Sequence, residues 1–188
     1  IALRVYPGIN KVPAFYSEDK LKLFGLSLRS LASGLEGVDY RVVVILDNCP
    51  REYEELVAAT LPQGSYELLP KPGIGNYGTY ELQIDLLSES ESEFVFFGED
   101  DYLYRPGAFA QALAFMRSSE APDFLSLYDH LDYYRLPLHD HPVELTEYGG
   151  QHWRSADSTT LSFLSTPEVV RETREVIRPF SRGGHDAE

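Results

Sequence analysis

Apolar residues along this chain fall into two kinds of run. Ala2-Leu3-Arg4-Val5-Tyr6, Arg41-Val42-Val43-Val44-Ile45-Leu46, Tyr66-Glu67-Leu68-Leu69 and Phe94-Val95-Phe96-Phe97 are short, nearly continuous and rich in β-branched and aromatic side chains. That is the signature of strands buried on both faces. Between them the apolar positions take helical spacing. Leu21, Phe24, Leu28, Leu31 and Leu35 recur at three- and four-residue steps. Ser17 is the expected N-cap of this helix, with Glu18 and Asp19 in its first turn and Gly34 and Gly37 near its end. Pro50 opens a second expected helix over 51–61, and a third, over 79–88, follows a Pro- and Gly-rich loop at 70–78. Strand and helix thus alternate four times, which predicts an α/β fold with a mostly parallel central sheet covered by helices on both faces.

From residue 106 the pattern loosens. A helix is expected over 106–117 and a strand over 124–128. Residues 143–153 and 159–164 alternate in polarity and suggest two further strands, antiparallel and forming a smaller portion. The loop at 136–142 is interrupted by prolines, and a last helix over 167–177 carries Val169, Val170 and Val176 on its apolar face. There is no internal repeat and no low-complexity segment.

Composition narrows the functional classes. At 188 residues, 43% hydrophobic and 24% charged, the chain is expected to fold as one domain spanning 1–188. No apolar run approaches the ~20 residues that span a bilayer, so no transmembrane segment is expected, and nothing at the start resembles a signal peptide. An opening on Ile1 and a stop at Glu188 are what a trimmed piece of a longer protein would show. The single Cys49 excludes an internal disulfide and points to a reducing, cytoplasmic setting. A formal net charge of -14 argues against nucleic acid as a partner. A small diphosphate remains open, because a divalent cation supplies the missing positive charge.

Candidate chemistry gathers where the expected strands end. Glu99-Asp100-Asp101 places three carboxylates directly after a buried strand, where they repel one another unless a proton or cation intervenes. Hard oxygen ligands of this kind suit Mg²⁺ or Mn²⁺; a solvated acidic turn is the plainer alternative. Asp47 could accept hydrogen bonds from the edge of a base, or simply form an Asx turn. Pro7-Gly8 lets a ligand approach the backbone, or merely ends a strand. Gly75-Asn76-Tyr77-Gly78 opens a helix whose free N–H groups favour anions, or is only a turn.

These motifs, in this order, resemble the nucleotide-diphospho-sugar glycosyltransferases of the GT-A fold, most closely family 2. The family's first strand ends in Pro-Thr-x-Asn, here Pro7-Gly8-Ile9-Asn10. Its second ends in Asp and a small polar residue, here Asp47-Asn48. Its third loop carries Asn-x-Gly, here Asn76-Tyr77-Gly78, and its fourth strand ends in the DxD signature, here Glu99-Asp100-Asp101. The resemblance covers about residues 2–115. It implies a donor half, 1–105, that binds a UDP- or GDP-sugar through Pro7, Gly8, Asn10, Asp47, Asn76, Gly78, Glu99 and Asp100. Asp101 would hold Mn²⁺ or Mg²⁺. Two positions depart from the family: Glu99 stands where Asp is commonest, and Leu82-Gln83-Ile84 replaces a frequent Ala-Arg-Asn.

The end of the chain, Gly183-Gly184-His185-Asp186, resembles the Gly-Gly-Glu-Asp segment of β-1,4-galactosyltransferases. By that resemblance Asp186 is the general base of an inverting transfer to an acceptor hydroxyl, with Glu188 its substitute. His185 is a candidate second metal ligand because a neutral imidazole suits Mn²⁺, and a frayed polar tail is the plainer alternative for the whole segment. In the acceptor-side half, 106–188, Tyr148 and Trp153 beside Gly149-Gly150 are either an acceptor platform for a glycan or core. Asp129 and Asp132 could line the same side. His139-Asp140-His141 is either a metal site or a surface segment. A non-catalytic domain that binds sugar nucleotide or glycan is the alternative to the transferase. A sugar-nucleotide pyrophosphorylase normally needs a Gly-rich basic loop after its first strand, and residues 6–11 supply only Gly8 before Lys11.

Overall fold

The computed structural model describes residues 1–9 and 13–179. Four strands, β1 (Ala2–Val5), β2 (Val42–Asp47), β3 (Tyr66–Lys71) and β4 (Val95–Glu99), lie parallel, and β7 (Phe163–Ser165) pairs antiparallel with β4. The order across this five-stranded sheet is β3-β2-β1-β4-β7. Helices α1 (Lys20–Gly34), α2 (Arg51–Thr60) and α3 (Gly75–Ser88) make the crossovers; α4 (Ala108–Met116) and α5 (Pro167–Ile177) follow. A separate hairpin joins β5 (Leu145–Tyr148) to β6 (Gln151–Arg154). The architecture is a Rossmann-like α/β sheet with helices on both faces. No helix among the described residues is long and apolar enough to cross a membrane.

Alternation along the strands sorts the core into two layers. Leu3, Val5, Val42, Val44, Leu46 and Phe96 pack against α1, α2 and α4 through Phe24, Leu28, Val57 and Phe109. Ala2, Ile45, Val95 and Phe97 face the other way, against Tyr80 and Ile84 of α3 and Val170 of α5. Because the chain runs outward from β1 to β3 and then crosses back to β4, the crevice at the carboxyl ends of β1 and β4 is the point where the connections diverge. In open α/β sheets ligands bind at such a point.

Several boundaries differ from expectation, each for a local reason. Asp19, not Ser17, caps α1: Tyr16 at φ 52° starts a turn closed by the Asp19 N–H to Tyr16 O (3.0 Å), and the Asp19 carboxylate then accepts the Lys22 N–H. Residues 124–128 do not form a strand beyond the single bridge of Leu125 with Leu164, because the Ser126 hydroxyl takes up Ser162 O and the Tyr128 N–H in place of ladder partners. Residues 143–153 fold back on themselves, since Gly149 and Gly150 both sit at positive φ, the conformation of a tight hairpin turn. Thr160 and Leu161 also have positive φ, which delays β7 to Phe163.

One buried polar side chain fastens the sheet at its centre. Gln83 of α3 is fully buried, and its Nε2 donates to Ala2 O (2.7 Å) and Gly98 O (2.9 Å), bridging β1 and β4. Leu at this position strips a donor from two buried carbonyls, at a cost of about 2–3 kcal/mol. Gln83→Leu is therefore expected to lower the urea midpoint with an unchanged m-value.

Candidate functional site

The acidic segment after β4 divides three ways. Glu99 receives Arg4, whose Nη2 lies 2.5 Å from its Oε1, and the same guanidinium donates to Asn76 Oδ1 (2.7 Å) and Asn76 O (3.1 Å). Arg4 is buried on the α3 side and rests 5.4 Å from the Tyr80 ring centroid. Asp100, also buried, accepts Lys20 Nζ on one oxygen (2.7 Å) and the Tyr6 N–H on the other (2.9 Å). Asp101 is exposed and has no hydrogen bond or ion pair among the described residues.

Charge and burial compete at this edge. Burial pushes the Glu99 carboxyl up to about 7, against the downward pull of Arg4 and with the help of the neighbouring Asp101 and Asp100. Burial likewise raises Asp100, opposed by Lys20 and the Tyr6 N–H. The Cys49 thiol at the end of β2 goes up to about 12, through burial first and then the negative charge of Asp100 and Asp47, so it is not a nucleophile near neutrality. Two of the three expected donor-edge carboxylates are thus already neutralised by cations of the chain. Asp101 alone offers an open carboxylate.

Asp47 behaves differently from a base-reading residue. It is 2% exposed, and its oxygens accept the N–H groups of Gly73 (3.0 Å), Ile74 (2.7 Å) and Gly75 (2.7 Å). Gly73 and Gly75 at φ +88° and +77° flank Ile74 at φ -82°, curving three successive N–H groups around one anion. Of the segment 75–78 expected to offer free N–H groups, only the Gly75 N–H takes part, with those of Gly73 and Ile74, and the three are taken up by the chain's own carboxylate. This long-range cap also explains why α3 begins at Gly75 rather than near 79.

The remaining expected residues scatter. Pro7 and Gly8 follow β1 half-buried, with the Tyr6 ring folded so closely over Gly8 that a Cβ there would meet Tyr6 Cε1 at 2.4 Å. Asn76 lies on the same edge through its bonds to Arg4, and Gly78 packs under Ile74 in the first turn of α3. Tyr148 and Trp153 lie on the hairpin with their rings 5.5 and 4.9 Å from Phe115 of α4, so both are at least in part core. His139 bonds Asp157 (2.7 Å), and His141 lies 3.8 Å from the other oxygen of that carboxylate. Among the described residues no group of three or more His, Cys, Asp or Glu is placed to hold a metal. Asn10, His185, Asp186 and Glu188 lie outside the described residues.

Arg4 and Lys20 were not singled out from the sequence. Arg4 carried a signal, an arginine inside an apolar strand, since such a residue is buried only when paired. Lys20 carried none: a lysine opening an amphipathic helix is ordinary.

The caging of Asp47 makes a direct prediction. Asp47→Asn keeps the shape but loses the charge and turns one acceptor into a donor facing N–H groups, which is expected to cost about 2–3 kcal/mol in urea unfolding. A variant of unchanged stability would show that the carboxylate is not needed to hold the start of α3.

No family model matches the chain, and no curated protein matches it either.

Proposed function

We propose that the chain is a GT-A-type glycosyltransferase that moves a sugar from a nucleotide diphosphate, bound with Mn²⁺ or Mg²⁺, to an acceptor hydroxyl. The observation that carries this reading is the carboxyl edge of β1 and β4: an open carboxylate, Asp101, on a rim otherwise neutralised by Arg4 and Lys20. The strand order β3-β2-β1-β4, closed by an antiparallel strand, supports it.

The residues fit a hard divalent ion bound together with substrate. Mg²⁺ is commonly held by one or two carboxylates plus substrate phosphates and water, so Asp101 with a diphosphate suffices. The ion, when bound, would offset charge on the leaving diphosphate. The chain's own contributions are positional. Glu99 and Asp100 are fixed by their cations, so the loop carrying Asp101 is held at the end of β4. Lys71, at the end of β3, has no ion pair among the described residues and adds a cation to the same edge. Transfer then requires an acceptor oxygen to attack the anomeric carbon as the sugar–phosphate bond breaks and a carboxylate takes the proton, the part proposed for Asp186.

A non-catalytic sugar-nucleotide or glycan binder is the second reading, favoured by the engagement of Asp47 with Gly73–Gly75 rather than with an open site. UDP or GDP at about 100 times Kd should raise Tm by roughly 5–10 °C only with Mn²⁺ or Mg²⁺ present. Asp101→Asn should abolish that shift while leaving the ligand-free Tm unchanged. No metal-dependent shift with either nucleotide overturns both readings of the donor edge. A shift without nucleoside diphosphate release from any sugar donor leaves the binder.

A further inference from the structure

A second concavity lies away from the donor edge. It is a cleft of about 1070 Å³ between the β5–β6 hairpin, the segment 124–129 and the loop at 155–161. Tyr128 and Tyr134, 42% and 61% exposed, present aromatic faces on its wall. Arg154 lies 4.5 Å from the Tyr134 ring centroid and 5.7 Å from that of Tyr133, and it has no acidic partner among the described residues. The Asp129 carboxylate accepts the Tyr134 hydroxyl (2.7 Å). The cleft is tied to the donor edge, because Tyr102, the residue after Asp101, packs edge-on against Tyr128 at 5.2 Å.

We infer that this cleft binds a neutral saccharide of two or three rings as the acceptor. Its role as acceptor rests on the transferase reading; its chemistry does not. Exposed tyrosine faces suit the apolar C–H faces of a pyranose, and the Arg154 guanidinium, near two tyrosine rings and with its Nε on Ser155 O, keeps its Nη donors for ring hydroxyls. Asp129 keeps acceptor capacity for a hydroxyl proton. The size exceeds that of a typical small-ligand pocket, about 300–1,000 Å³, so it accommodates more than one ring. The sign of the lining selects against anions. Glu120, Asp123, Asp129 and Glu144 line it against Arg105 and Arg154, with Asp157, already bonded to His139, as a fifth carboxylate, within a chain of net charge -14. A uronate, sialylated or phosphorylated ligand meets like charge on most sides.

Trp153 lines the cleft and is the single tryptophan of the chain, so its fluorescence reports occupancy without a label. Lactose, cellotriose, maltotriose and chitotriose serve as neutral probes; sialyllactose and trigalacturonate are the anionic ones. At least one neutral probe is expected to change the Trp153 emission saturably, and no anionic probe is expected to match its affinity. Tyr134→Ala, at an exposed position, should weaken binding about tenfold or more, while Tyr134→Phe, which keeps the ring, should retain most of it. The inference fails if no neutral probe binds, if an anionic probe binds more tightly, or if Tyr134→Ala binds as the parent does. Saccharide binding that persists when nucleotide and metal give no thermal shift upholds the cleft and removes the transferase. A metal-dependent nucleotide shift without saccharide binding does the reverse.

Discussion

Two largely buried ion pairs hold the carboxyl edge of the sheet in this molecule. Arg4–Glu99 and Lys20–Asp100 lie on either side of β1, the first toward α3 and the second toward the start of α1. Removing charges from water is costly, and a buried pair persists only where its remaining hydrogen-bonding capacity is also met. Arg4 meets that condition in part, through Asn76 and the Tyr80 ring, while its buried Nε has no partner among the described residues; Asp100 meets it through the Tyr6 N–H. The pairs contribute little net stability over an apolar alternative, but losing one partner strands the other at a cost of about 3–5 kcal/mol. Their effect is geometric. They tie both helical layers to the ends of the two strands where the topology opens a crevice.

The legibility of the fold in the sequence follows the range of the interactions. β2 and β4 are buried on both faces, so continuous apolar runs betray them; α5 is bounded by a local cap, Thr166, and by Pro167. The start of α3 was not legible, because its cap comes from Asp47, 26 to 28 residues earlier in the chain. The segment 124–128 has the apolar pattern of a strand, yet one serine hydroxyl diverts its backbone bonding. The candidate site was legible as residue types at strand ends, not as partners. Glu99, Asp100 and Asp101 are equivalent in sequence; only the fold separates the two that are paired inward from the one that faces out.

That separation bears on how so acidic a chain could hold a diphosphate. The nest of N–H groups before α3 is the natural anion site on this edge, and Asp47 occupies it from within. A phosphate arriving there would have to displace a carboxylate bonded to three N–H groups, which is unfavourable unless the loop moves. Under the proposed function the diphosphate therefore falls to the other side of the crevice, next to Asp101, where a divalent cation must stand between two negative groups. The same electrostatics operate in the second half of the chain, where carboxylates outnumber guanidiniums around an aromatic cleft. On the two readings proposed above, a donor accepted only with its cation and an acceptor accepted only if uncharged would be two consequences of one charge balance.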